Sequence, residues 1–208
     1  MVIVVCFGCA TTASVPKSEM NYCDPSVDQA VQSGDWSKAL LAHEQLLARS
    51  PSDCRAMYHL GYIWGQLGDR GQEVQYYQKA LECGYTRDDQ LYFNLGMAKA
   101  DLGDLDGALD AFEQAVAVNP KRADNFFGMG SIYLVMEREK EAEHAWLEAV
   151  ALDHRHIESH LALVQLYLEQ SRWNAARSHL DALKRVAPDN EEAQRLGKVL
   201  QSRQALEY

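Results

Sequence analysis

The dipeptides Leu60-Gly61, Leu95-Gly96, Met129-Gly130 and Leu163-Val164 recur at steps of 34 or 35 residues, and this period constrains the chain more than any other feature. A second series keeps the same step: Ala39, Ala108, Ala142 and Ala176, with Glu73 in the remaining place. From about Asp28 onward Ala, Leu, Glu, Gln and Arg keep recurring, all good helix formers, and only 5 prolines interrupt 208 residues. Small residues at fixed places let two helices cross closely, and large residues fill the spaces between crossings. Gly34-Asp35, Gly68-Asp69 and Gly103-Asp104 fall where one helix would give way to the next. Gly there supplies a left-handed cap, and Asp caps the helix that follows. The period therefore predicts an all-α chain of antiparallel helix pairs.

Residue by residue the pattern resembles the tetratricopeptide repeat, with its large apolar residue, Leu-Gly, Tyr, Ala, aromatic, Ala and Pro in order. One unit gives Tyr92, Leu95, Gly96, Ala108, Phe112, Ala115 and Pro120; the next gives Phe126, Met129, Gly130, Tyr133, Ala142, Trp146 and Ala149. Leu163, Tyr167, Ala176, Leu180 and Pro188 follow, and Leu60, Gly61, Trp64, Tyr77 and Ala80 place an earlier unit. A weaker first unit rests on Trp36, Ala39, Leu40, Leu46 and Pro51. The resemblance implies a right-handed superhelical solenoid of about five helix pairs, at 20–53, 54–88, 89–122, 123–156 and 157–190. Residues 191–208 carry Ala193, Leu196, Val199 and Leu200 at helical spacing and read as a capping helix over the last apolar face.

The net charge of −10, with no basic run longer than Lys184-Arg185, excludes a phosphate backbone as partner. Residues 1–19 differ from the rest: Met1 to Gly8 is uncharged and mostly apolar, and Cys9-Ala10-Thr11-Thr12 follows. This resembles the lipobox of bacterial lipoproteins, in which the Cys is lipidated, and it implies an acyl anchor on Cys9. Eight such residues are too few to cross a bilayer, which needs about 20, so the membrane would be met through the lipid alone. Ala10, which is not Asp, favours the periplasmic face of the outer membrane. The alternative is an apolar N-terminus on a cytoplasmic chain.

No Gly-rich phosphate loop, His-Glu-x-x-His or Gly-x-Ser-x-Gly is present, so the chain reads as a non-enzyme that needs no cofactor or metal. His154, His156 and His160, with Glu158 among them, do not complete a set of four ligands and read as surface histidines around a helix start.

In the resembled family, the first helix of each repeat lines an inner groove that holds a protein or peptide partner. That register places Tyr58, Tyr62, Phe93, Met97, Phe127, Leu134 and Val135 on its floor. Arg55, Gln66, Gln90, Asn94, Asp101, Asp124 and Ser131 stand around them, an apolar floor with a polar rim. The Lys and Asn clamp by which some members bind a C-terminal carboxylate is not matched, because Tyr58, Phe93 and Phe127 hold the corresponding fifth position. Cys54 and Cys83 stand at the start and end of one antiparallel pair, which allows either a disulfide or two reduced, apolar side chains. Together these readings imply a protein-binding scaffold assisting a bacterial envelope assembly such as a pilus, secretin or outer-membrane machinery. The alternatives are a cytoplasmic co-chaperone or regulatory adaptor, or an accessory subunit of a cell-wall enzyme complex.

Overall fold

The computed structural model describes residues 30–31 and 33–205, and all regular structure among them is α-helical. The helices are α1 (Trp36–Arg49), α2 (Cys54–Leu67), α3 (Arg70–Glu82), α4 (Asp89–Asp101) and α5 (Leu105–Val118), then α6 (Ala123–Val135), α7 (Glu139–Leu152), α8 (Ile157–Glu169), α9 (Trp173–Val186) and α10 (Glu191–Ala205). They divide into two compact units, one ending at Val118 and the other beginning at Asn119. None is long and apolar enough to cross a membrane. The segment proposed to carry a lipid on Cys9, and the opening of the first repeat, lie outside the described residues.

In the first unit, α2 pairs with α3 and α4 with α5. The turns follow the chemistry expected of them. Gly34, Gly68 and Gly103 have φ of 73, 85 and 81°, a region that costs glycine nothing. Asp35, Asp69 and Asp104 accept hydrogen bonds from the main-chain N–H groups of Lys38, Gln72 and Gly107, at 3.1, 3.0 and 3.0 Å. Each helix crossing is set by a glycine under a ring: Gly61 lies against Tyr77 and Gly96 against Phe112. Tyr77, Phe112, Leu60, Ile63 and Leu91 are fully buried there.

The second unit pairs α6 with α7 and α8 with α9. Its turns differ: Glu137 and Ser171, with φ of 59 and 56°, take the left-handed place without glycine. Arg138 and Arg172 precede the next helices and make no side-chain cap. Ala193, Leu196 and Leu200 of α10 pack into the same apolar cluster as Leu163, Val164, Leu180 and Leu183, so α10 covers the apolar side of the α8–α9 pair. Arg203 ties its far end to the Leu168 carbonyl at 2.9 Å.

Candidate functional site

Alternation of buried and half-buried side chains along the first helix of each pair divides the sequence candidates into two groups. In the first unit Tyr58 is 3% exposed and stacks on Tyr85, while Phe93 is 8% exposed and meets Phe112 edge-on. Both belong to the interior of their helix pairs and are not floor residues open to a partner. In this unit the rings of Tyr58 and Phe93 turn toward Tyr77 and Phe112 of the second helices, where their apolar area is taken out of water.

Four steps along the helix the outcome differs. Tyr62 and Met97 are half-buried. Tyr62 stands edge-on to Trp36, with ring centroids 6.0 Å apart, and partial burial raises its hydroxyl pKa. Gln66 and Asn94 are also half-buried, and Arg55 is exposed. Gln90, 6% exposed, donates to the side-chain oxygen of Asn94 at 2.9 Å, so the two amides form a fixed pair.

Asp101 does not stand free on a rim. Its carboxylate accepts from Arg70 Nε at 2.8 Å, and the same guanidinium contacts Glu73 at 2.7 Å. Glu73, which takes the place of the alanine in the 34-residue series, is buried. Burial raises its carboxyl pKa and Arg70 opposes that shift. The carboxyl group fills the space beside Gly65, where a Cβ would come within 2.6 Å of it.

In the second unit Asp124 is half-buried and accepts from Arg122 Nε at 3.1 Å and from His156 Nε2 at 3.2 Å. The His156 bond, then Arg122, hold its carboxyl below the usual range against the opposing effect of burial. Phe127 and Leu134 are half-buried, Val135 is 38% exposed, and Phe127 tilts over the His156 ring at 5.5 Å. Ser131 is buried and donates to the Phe127 carbonyl at 2.9 Å.

Of the three histidines read as surface groups, His154 is exposed, while His156 and His160 are interior. His156 is 8% exposed and caps α8 by accepting from Ser159 N–H at 3.2 Å; His160 is 3% exposed. An incomplete ligand set in the sequence carries no sign of this burial. The His156 and His160 imidazoles tolerate burial because hydrogen bonds meet both nitrogens of each ring. Among the described residues no three His, Cys, Asp or Glu side chains are grouped to hold a metal ion.

Three features were not anticipated from the sequence. His160 and His179 face one another across α8 and α9 at 2.8 Å. Glu143 accepts from Tyr167 Oη at 2.8 Å and from Arg172 at 2.7 Å. A cleft of about 410 Å³ opens between α9 and α10, lined by Leu180, Pro188 and Ala193 together with Arg177, Lys198 and the Lys184–Asp181 ion pair. Their partners lie at no fixed step of the repeat, so the period carries no signal for them. Cys54 and Cys83 are joined by a disulfide with Cα atoms 5.4 Å apart, from the first turn of α2 to the end of α3.

Models of the tetratricopeptide repeat match residues 27–87 and 90–122. Human protein O-mannosyl-transferase TMTC1 is 25% identical over 133 residues, covering 64% of this chain and 15% of that protein. The general transcriptional corepressor ssn6 of Schizosaccharomyces pombe is 27% identical over 121 residues, covering 57% and 11%. The chain thus spans a small part of the curated relatives it matches. Among solved structures, pilF of Pseudomonas aeruginosa superposes with a TM-score of 0.73 at 20% identity, covering 86% of this chain and 82% of that one. YrrB, a TPR protein with an unusual peptide-binding site, gives 0.69 at 20% identity over 83% and 88%. At such identity these structures speak for the fold alone. The 34-residue period, the glycine-under-ring crossings and the matched repeats agree: the chain belongs to the tetratricopeptide repeat family.

Proposed function

We propose that this protein is a non-catalytic scaffold that holds a peptide or helix of another protein on the half-exposed first-helix side chains of its units. Proteins of this family generally mediate protein–protein interaction. The observation that carries the reading here is the persistence of Tyr62 and Met97 as half-buried apolar groups beside Gln66 and Asn94, while Tyr58 and Phe93 on the same helices are buried. Apolar anchors next to amides suit a partner that brings both apolar side chains and main-chain groups. The acidic net charge of −10 adds selection against acidic partners.

The same reading places the scaffold in a bacterial envelope, held by a lipid on Cys9 and serving assembly of an envelope complex. Two observations support it: the lipobox-like Gly8-Cys9 and the Cys54–Cys83 disulfide, a bond that persists in oxidising compartments.

Photo-crosslinking tests the partner site. A photoreactive residue at Tyr62 or Met97 should give a discrete adduct with one envelope protein, and the same residue at exposed Gln78 on α3 should not. Equal labelling from all three positions would defeat the assignment. Mass measurement of the native N-terminus tests the anchor separately, with an acylated Cys9 expected.

A further inference from the structure

His160 on α8 and His179 on α9 approach through their Nδ1 atoms at 2.8 Å, and the other ring nitrogen of His160, Nε2, lies 3.1 Å from the main-chain carbonyl of His154. A carbonyl oxygen only accepts, so Nε2 of His160 carries a hydrogen. A neutral imidazole has a single N–H, which leaves Nδ1 of His160 bare. The hydrogen between the rings therefore belongs to Nδ1 of His179, and His179 donates to His160.

We propose that His160 and His179 form an acid-operated latch between α8 and α9, closed while one hydrogen lies between the facing nitrogens and opened when each of them carries its own. The proton count explains the two stages. The neutral pair holds two N–H hydrogens. A first added proton goes to the outer nitrogen of His179, and the contact persists as a charge-assisted hydrogen bond. A second can enter only between the rings. It sets two N–H groups against each other at 2.8 Å on two like charges, and the helices must part.

The surroundings make the second proton costly until the solution is acidic. His160 is 3% exposed. Around the pair stand Glu143 on α7, Tyr167 on α8 with its ring 5.7 Å from His179, Arg185 on α9, and Asp153, His154 and His156 at the entry to α8. Arg172 is engaged with Glu143 at 2.7 Å and lies over the Tyr167 ring. Glu143 and Asp153 favour added charge; burial, His156 and Arg185 oppose it. Burial first, then the charge of His160, lowers His179 to about 4, and burial lowers His160 as well. The two titrate as one system. Unfolded histidine takes its proton near about 6.5, so the latch stabilises the fold fully above that pH and loses hold as the pH falls toward the folded value. Because α10 packs on the α8–α9 pair, opening loosens α10 too.

The tautomers are read by ¹⁵N NMR of the imidazoles in the whole chain at about pH 7.5, well above the ordinary histidine value. His160 should carry its hydrogen on Nε2 and His179 on Nδ1; His179 protonated on Nε2 instead would overturn the proposal. Hydrogen exchange then reads the opening. After correction for intrinsic rates, α8 and α9 amides should exchange about tenfold faster at about pH 4.5 than at neutral pH, and unchanged exchange there would overturn the opening.

His179→Asn places an amide donor where Nδ1–H was, cannot be charged, and can turn its oxygen to a protonated His160. This variant should keep α8 and α9 protected at both pH values. Acid loosening equal to wild type in it would refute the latch, and if it does not fold, the wild-type tautomers still decide.

Discussion

Gly130 on α6 and Trp146 on α7 meet so closely that a Cβ on the glycine would lie 2.5 Å from the indole Nε1. The ring has nowhere to retreat: it is 2% exposed, and its N–H donates to the Phe127 carbonyl at 3.3 Å. Gly130→Ala should therefore destabilise the second unit by about 1–3 kcal/mol, after alanine's helical advantage of about 1 kcal/mol is overcome. Gly197 on α10 is the contrast, with no atom within 4 Å of the added methyl. Gly197→Ala should stabilise by about 0.5–1 kcal/mol. Urea unfolding of both variants checks the opposite signs.

The same pairing shows why the fold was legible and the site only partly so. A glycine under a ring is forced by steric contact, so Gly61 with Tyr77, Gly96 with Phe112 and Gly130 with Trp146 write their period into the sequence. Turn glycines at Gly34, Gly68 and Gly103 are equally forced by positive φ. In the second unit Glu137 and Ser171 take that conformation, and no residue type announced those turns. Whether a ring on the first helix points inward or outward depends on small rotations and on neighbours such as Tyr85 and Phe112, which the period leaves unstated. The burial of His160 was missed for a like reason, because its partner His179 lies across a turn at no repeating distance.

Phe93 and Met97 stand on the same helix yet should respond differently to a charge. Phe93→Asp puts a carboxylate into a site that is 8% exposed and removes the contact with Phe112, so a loss of about 3–5 kcal/mol is expected. Met97→Asp, at a half-buried position, should cost about 1 kcal/mol and retain the helical circular dichroism signal. Denaturation midpoints of the two variants would correct the division of the helix if they fell together.

Arg70 holds two carboxylates, one of them buried, so its removal should cost more than an exposed ion pair is worth. Arg70→Met leaves Glu73 charged or protonated without its partner, at an expected cost of about 3 kcal/mol. Replacing Glu73 by Ala in the same chain restores the residue found at Ala39, Ala108, Ala142 and Ala176. The double variant should be more stable than Arg70→Met alone, a non-additivity that a double-mutant cycle measures directly.

His59 gives the first unit its own acid sensitivity. Burial, followed by the charges of His43 and Arg55, lowers its pKa to about 3. The unfolded chain binds the proton near about 6.5, so stability is complete above that pH and falls as acid is added. From this residue alone, the unit should lose about 2–3 kcal/mol between neutral pH and about pH 4.5. His59→Gln should flatten the stability profile by one proton over that range, and an unchanged slope would place the titration elsewhere.

Cys54 and Cys83 join the start of α2 to the end of α3 across 29 residues of sequence, with Cα atoms 5.4 Å apart. An antiparallel pair already brings these ends together when folded, so the bond acts mainly on the unfolded chain, whose freedom it restricts. For a loop of this length the chain-entropy relation gives about 3–4 kcal/mol. Reduction with dithiothreitol should lower the unfolding free energy by that amount without abolishing the helical signal, since Leu60, Ile63, Tyr77 and Ala80 still fill the interior of the pair. Cys54→Ser and Cys83→Ser should each match the reduced wild type and gain nothing further from dithiothreitol. A wild type whose stability is indifferent to the reductant, with non-reducing peptide maps showing both thiols free, would remove the bond from the account and with it one of the two supports for an oxidising compartment.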